Sequence, residues 1–346
     1  MSRKVVLTGM RTTGALHLGH FVGALKQWKE IQDSREYECY FLLADVQALT
    51  THADRPELLT QSIQDVVLDW LSVGLNPTLP TVHFVQQSQV LERHELSIYL
   101  GMVAKYSEVL RDPTLKAELA GMDSATMGFV YYPVDQAADI YMVCPTPPES
   151  GDELLVPVGQ DQEAHLELAR EIARDFNRMY GPTFVPCTGL IGEIGRLVGT
   201  DGETKMSKSK DNAIFLSDSK EDVIQKVRLM RSYPIGGSPR MRKTDPGVVE
   251  GNPLFDYFRA FSADGEGLAD LEERYLQGGV GDSEVKVMLS SVINNFLDPL
   301  RERRASLRQS DVREMVISGS QAARAACVPV IERVRELMRL QYPVSG

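Results

Sequence analysis

Leu7-Thr8-Gly9-Met10-Arg11-Thr12-Thr13-Gly14-Ala15-Leu16-His17-Leu18-Gly19-His20 carries a strand through a glycine-bearing turn into the start of a helix. The strand is Lys4-Val5-Val6-Leu7-Thr8-Gly9, a short apolar run ending at a glycine. Residues 17–31 then show helical spacing, with Leu18, Phe21, Val22, Leu25 and Trp28 on one face. Backbone N–H groups at a helix start attract anions, and phosphate is the usual guest. His17 and His20 are three apart and share one face of that first turn. Gly19 between them has no Cβ to keep a flat base from the backbone.

Outward from this turn the pattern repeats. Residues 39–44 form a second apolar strand closed by Asp45. Asp54, Pro56 and Glu57 predict a capping box opening a helix. That helix carries Leu59, Ile63, Val66, Val67, Trp70 and Leu71 inward and stops near Gly74. A third strand follows at 81–85. Strand–helix–strand at this spacing predicts parallel strands joined by right-handed crossovers, a doubly wound α/β sheet of Rossmann type. In the second half, a strand at 213–216 is followed by a helix that Asp218 and Glu221 can cap, carrying Val223, Ile224, Val227 and Met230. Segments 282–308 and 311–340 read as long helices. The expected division is a catalytic domain at 1–215 and an α-helical domain at 216–346. Residues 144–152, rich in proline and acid, read as a surface loop.

Composition narrows the class. The chain has 346 residues, 43% hydrophobic and 25% charged, as expected of a soluble globular protein. It shows neither an apolar run of membrane-spanning length nor a signal peptide. Cys39, Cys144, Cys187 and Cys327 lie far apart with no Cys-x-x-Cys pair, which argues against a disulfide framework and a structural metal site. A reducing, cytoplasmic compartment is expected. The net charge of −11 excludes nucleic-acid binding by bulk electrostatics. Two basic stretches could act locally: Arg228, Arg231, Arg240, Arg242 and Lys243, and Arg301, Arg303, Arg304 and Arg308. Solvated helix faces explain both equally well.

Lys205-Met206-Ser207-Lys208-Ser209 follows Gly199-Thr200-Asp201-Gly202 and reads as a mobile loop. Alone it is an ordinary charged loop. Beside the histidine turn it gains meaning, because two lysines three apart can close on a polyphosphate. The two motifs, in this order and separation, resemble the two signatures of class I aminoacyl-tRNA synthetases. The similarity to bacterial tryptophanyl-tRNA synthetases runs further. It includes Leu43-Ala44-Asp45, Tyr132-Pro133, Ala137-Ala138-Asp139-Ile140, Val156-Pro157-Val158-Gly159-Gln160-Asp161-Gln162, Asp245-Pro246-Gly247 and Glu250-Gly251-Asn252-Pro253.

The resemblance implies a tryptophan–tRNA ligase and assigns roles to residues. Asp139 would accept the indole N–H, and Tyr132 would help to hold the amino group. Leu7, Gly9, Gln47 and Gln136 would lie near the amino acid, with Val156 and Val158 walling the indole and Gln162 at its polar end. ATP would meet Thr8, Arg11, His17, Gly19, His20, Gly159, Asp161, Lys205, Met206, Ser207 and Lys208. The catalytic set would be His17, His20, Lys116, Lys205 and Lys208, with Lys116 reaching the pyrophosphate. ATP would bring Mg²⁺, and no protein-ligated metal is expected. The implied partners are L-tryptophan, tRNA(Trp) and a second copy of the chain. The apolar residues Leu96, Ile98, Leu100, Met102 and Val103 are expected at that two-fold contact. On its own chemistry, a carboxylate at Asp139 in an apolar helix is costly unless partnered. An ion-paired or capping role is the alternative reading, and the ligand role is preferred here.

The sister tyrosine enzymes also use a Tyr132-x-x-x-Gln136-x-x-Asp139 spacing, so Gln136 gives no support to tryptophan. The Val-Pro-Val-Gly-x-Asp-Gln and Asp-Pro-Gly segments are the tryptophan forms. Gln47, Arg11 and the long connection from Asp139 to Val156 depart from the common pattern. A tyrosine enzyme is the alternative, as is a non-catalytic tryptophan sensor. The sensor should have lost signature residues, and none is missing.

Overall fold

The computed structural model describes residues 2–159, 162–192, 197–240, 242–262 and 264–341. β1 (Lys4–Arg11), β2 (Glu38–Ala44), β3 (Val82–Gln86), β4 (Glu153–Val158) and β5 (Cys187–Ile191) form one parallel sheet in the order β3-β2-β1-β4-β5. The chain from β1 to β2 runs through α1 (Leu18–His20), one π-helical turn (Phe21–Leu25) and α2 (Lys26–Ser34). Next come α3 (Asp45–His52) and α4 (Pro56–Val73) before β3. Between β3 and β4 lie α5 (Leu91–Gly101), α6 (Tyr106–Val109), α7 (Pro113–Leu119) and α8 (Met127–Tyr141). α9 (Glu163–Tyr180) connects β4 to β5. The described elements after 215 are α10 (Lys220–Leu229), α11 (Pro253–Phe261), α12 (Gly265–Leu276), α13 (Asp282–Ser306) and α14 (Gln309–Leu337).

Both faces of the sheet are covered, as parallel strands require. Side chains alternate along each strand, so they divide into two cores. Val6, Phe41, Leu43 and Phe84 face Leu18, Trp28 and Trp70, and that core runs on into Leu254, Phe255, Leu289 and Ile293 of the helical part. Val5, Leu7, Tyr40, Leu42 and Val85 face α5, α8 and α9. α14 returns to this second core through Ala323, Cys327 and Val330 and runs against the edge strand β3. A Cβ on Gly319 would come within 2.2 Å of the Phe84 carbonyl oxygen, so a glycine is needed for that approach. The Gln86 N–H donates to Ser320 Oγ at 3.0 Å, and the sheet edge is thereby partly closed.

Four local expectations are corrected. Asp54 makes no capping bond: Arg55 is the N-cap of α4, with Pro56 in the first turn preset for helix. Gly74 does end that helix, at φ +99°. Residues 213–216 are not a strand of the sheet. They form a bridge onto the signature turn, where Leu18 N–H donates to Ile214 O and Leu216 N–H to Leu16 O, both at 2.9 Å. α10 is opened by Ser219 and Asp222 in a capping box, while Asp218 accepts from the Phe215 N–H at 2.8 Å. The 144–152 connection is not wholly at the surface. Cys144 is buried, and Arg3 pins the segment through Asp152 at 2.6 Å and the Pro147 carbonyl at 2.6 Å.

Candidate active site

β1 leads to β2 on one side, while β4 and β5 lie on the other, so the strand order reverses between β1 and β4. Open α/β sheets bind ligands at such a switch point, beyond the carboxyl ends of the strands. The ladder between the two strands ends at Val6 opposite Leu155. Pro157 has no N–H to extend it. The Thr8 hydroxyl instead donates to the Pro157 carbonyl at 2.6 Å and holds the mouth of the gap. A cavity of about 490 Å³ opens there. Of the residues expected in the site, it is lined by Leu7, Thr8, Gly9, Arg11, Gln47, Tyr132, Gln136, Asp139, Val156, Val158, Gly159 and Gln162. Gly9 has a structural demand too: a Cβ there would meet the Leu42 carbonyl oxygen at 2.5 Å.

The signature turn and the lysine loop meet beside this cavity. Lys208 Nζ donates to the Gly14 carbonyl oxygen at 2.6 Å. Met206 is buried, and its Cβ would lie 3.5 Å from one on Gly19. The His17 ring covers the same glycine, 3.1 Å from that position. His17 and His20 have ring centroids 3.7 Å apart, and the His17 N–H donates to His20 Nδ1 at 3.1 Å. Burial, reinforced by the charges of Lys208 and Lys205, lowers the His17 pKa to about 3. Burial and His17 hold His20 well below its usual value. Both rings are therefore neutral hydrogen-bonding groups at pH 7, not cations. His17 Nδ1 is buried with no hydrogen-bond partner among the described residues, as expected of a group kept for a ligand.

Asp139 is partnered. Arg93, fully buried on α5, donates through Nε to Asp139 Oδ1 at 2.6 Å and also pairs with Asp135. Gln87 Nε2 donates to both Asp139 oxygens, at 3.0 and 2.8 Å. Gln87 Oε1 in turn accepts the N–H groups of Val46 and Gln47 at the start of α3, both at 3.0 Å. Burial pushes the Asp139 carboxyl up to about 7, against the pull of Arg93. The ion-paired reading of this residue is thus correct structurally, and its place in the cavity wall leaves the ligand reading compatible with it. Gln136 Oε1 is buried without a hydrogen-bond partner among the described residues.

The sequence and structure of this chain match one family throughout. The family described as tRNA synthetases class I (W and Y) matches residues 2–298. The tryptophan–tRNA ligase of Clostridium longisporum is 40% identical over 99% of this chain and 98% of its own length. That of Treponema pallidum (strain Nichols) is 42% identical over 97% and 96%. The chain belongs to the tryptophan–tRNA ligase family.

Among solved structures, this synthetase is similar to the tryptophanyl-tRNA synthetase of Campylobacter jejuni complexed with ADP and tryptophan. The TM-score is 0.82 at 29% identity, covering 97% of this chain and 99% of that one. Fold alone does not separate the amino acids. The tyrosyl-tRNA synthetase of Aeropyrum pernix has a TM-score of 0.66 at 19% identity, covering 92% and 90%.

The remaining expected residues of this synthetase are more scattered. Lys116 on α7 is exposed and outside the cavity lining. Lys205 is exposed and bridges to Val198. Ser207 is half-buried, and its N–H donates to Asn212 Oδ1 at 2.7 Å. Asp161 lies outside the described residues. Much of the basic stretches is spent internally. Arg301 donates to the Asp218 carbonyl and to Asn294, Arg303 to the Ser72 carbonyl, and Arg304 pairs with Asp65 and Asp69. Arg231 pairs with Glu203, Arg240 with Asp282 and Lys243 with Glu284. Of the apolar residues expected at a two-fold contact, Leu96, Leu100 and Val103 are buried within the chain, whereas Ile98 and Met102 are exposed.

Sequence reasoning missed several groups that build the site of this synthetase. Asp69 on α4 accepts the Leu16 N–H at 2.8 Å and pairs with Arg304 on α13, joining the signature turn to the helical part. It sits in an apolar helical run, the same signal that drew attention to Asp139. Asn212 holds the lysine loop: besides Ser207, it donates to Asp201 at 2.8 Å and Thr204 at 3.1 Å. Arg93, Gln87, Glu118 and His165 carried no local signal, and Asp112 only that of a helix cap before Pro113.

Proposed function

We propose that this synthetase activates L-tryptophan with ATP to give tryptophanyl-adenylate and pyrophosphate, then passes the tryptophanyl group to the 3′-terminal ribose of tRNA(Trp). The observation that carries the reading is the closure of Lys208 onto the Gly14 turn beside a cavity walled by Leu7, Val156 and Asp139. The nucleophile is the substrate carboxylate, already ionised at neutral pH, so no general base is required. The site has to align that carboxylate with the α-phosphorus and neutralise charge on the departing pyrophosphate. His17 and His20 act as neutral donors, and Lys205 and Lys208 supply positive charge, with Lys116 reaching the pyrophosphate as the loops close. Mg²⁺ enters as part of the ATP substrate. Among the described residues no group of three or more His, Cys, Asp or Glu side chains is placed to hold a metal ion.

The helical part from 216 on is assigned to the tRNA anticodon. Unpaired anticodon bases are read by stacking and edge hydrogen bonds, so an acidic protein can serve. Arg228, Arg242 and Arg308 are exposed there. The working unit is assigned as a symmetric dimer in the cytoplasm, and no described helix is long and apolar enough to cross a membrane. The test is ATP–pyrophosphate exchange with each of the twenty amino acids. Tryptophan as best substrate supports the reading, and tyrosine as best substrate overturns the amino acid while keeping the class.

A further inference from the structure

The residue that precedes His17 is gripped at both of its backbone polar groups. Leu16 is buried, and its carbonyl oxygen accepts the Leu216 N–H at 2.9 Å. Its N–H donates to Asp69 Oδ2 at 2.8 Å, across 53 residues. A buried N–H needs an acceptor, and here it comes from a side chain. Asp69 lies on α4 with its side chain out of contact with solvent, and its other oxygen, Oδ1, accepts from Arg304 Nη1 on α13. That guanidinium is fixed in turn, because Nη2 donates to Asp65 Oδ1 at 3.1 Å. Arg303 beside it donates to the Ser72 carbonyl oxygen at 2.5 Å. The end of α13 is thus tied to α4 at Asp65, Asp69 and Ser72.

The Leu16 N–H alone does not call for a carboxylate. A neutral acceptor would serve it, and a buried charge is costly unless paired. A carboxylate offers two oxygens at once, and here they face two different elements, the signature turn and α13. Lys208, which rests on Gly14, has to leave the turn to meet a phosphate. Asp69 is fixed in the core and stays. It is also absent from the cavity lining, so its effect on the chemistry must pass through Leu16.

We propose that Asp69 is a positioning residue for adenylate formation. It sets the backbone just before His17, and Arg304 fixes it from α13, so the histidine turn takes its place from the helical part. This rests on the activation reaction proposed above and adds to it a residue outside the site.

The test is tryptophan-dependent ATP–pyrophosphate exchange by the full chain, with rates expressed per active site from the burst of adenylate, so that unfolded protein is not counted. Calorimetry gives the tryptophan affinity alongside. Asp69→Leu removes both acceptors, keeps the volume in the core and leaves Arg304 its bond to Asp65. Its kcat should fall about 10- to 100-fold, the cost of a turn displaced by about an ångström. Its tryptophan Kd should stay within about twofold. Asp69→Asn sets an amide NH₂ against the guanidinium, and Arg304→Gln leaves the carboxylate without its cation, so each single variant should be slow. The double variant Asp69→Asn, Arg304→Gln rebuilds the bridge without charge: the Asn oxygen accepts from Leu16 and its amide donates to the Gln oxygen. Its kcat should return to within about threefold of wild type, which a loss of stability alone would not produce. This cycle decides the matter even where Asp69→Leu does not fold. Single variants as fast as wild type, a double variant no faster than the two losses multiplied, or equal losses of kcat and tryptophan affinity overturn the proposal. Absence of tryptophan-dependent exchange in wild type overturns the activation reading itself.

Discussion

Lys208 Nζ donates to the carbonyl oxygen of Gly14 at 2.6 Å, and this bond closes the lysine loop over the turn that follows β1. Gly14 has φ +114°, a conformation that an L side chain rarely adopts. The bond uses a backbone carbonyl as a resting place for a charge whose proposed target is a phosphate.

Burial lowers the Lys208 pKa to about 8. The ammonium is therefore fully charged below that value in the free enzyme and neutral above it. kcat/KM for ATP in pyrophosphate exchange should fall as pH rises through about 8, approaching tenfold per pH unit. Lys208→Arg should abolish that decline, since a guanidinium stays charged. Folding responds in the opposite sense: above about 8 the unfolded chain holds the extra proton, so stability gains slightly with pH. A wild-type profile that is flat to pH 9.5 would count against a charged role for this lysine. Lys208→Ala should slow exchange about 10- to 1000-fold with tryptophan binding nearly unchanged.

Arg93 and Asp139 are a buried pair, and Arg93 also serves Asp135. Arg93→Met would strand two carboxylates in the core. The expected loss is about 3–5 kcal/mol, read from urea unfolding. A loss below about 1 kcal/mol would mean that the carboxylates find other partners. For the same reason, Asp139→Ala should lower stability as well as activity.

Asn212 is buried and connects Asp201, Thr204 and Ser207. Asn212→Ala should loosen the loop without touching the cavity. Exchange should drop about tenfold, stability about 1–3 kcal/mol, and tryptophan affinity hardly at all. Unchanged exchange would show that the loop holds its shape without Asn212.

Ile98 and Met102 are 55% and 71% exposed, and Leu91 and Tyr106 are exposed nearby. Exposed apolar side chains here fit the two-fold contact proposed above. The double variant Ile98→Asp, Met102→Asp should shift sedimentation from dimer to monomer at micromolar concentration. A wild-type monomer that charges tRNA at full rate would remove the basis for the dimer.

Much of this protein is local and was therefore legible in the amino-acid order. The run from Lys4 to His20 encodes strand, turn and helix through apolar periodicity and glycine, and the motifs that hold His17, His20, Lys205 and Lys208 resemble the signatures of class I synthetases. Even so, Asp218 was misread as a cap because Ser219, one residue on, reaches the free N–H of Asp222.

Tertiary structure alone decided which polar groups pair. Arg93 meets Asp139 across 46 residues, His165 meets Asp112 across 53, and Arg304 meets Asp69 across 235. Composition could not separate arginines spent on internal carboxylates from those left for tRNA. Periodicity reports which face of an element is apolar, because that face repeats every turn. A buried ion pair is a single contact with no repeat, and its partner is chosen by how the helices cross.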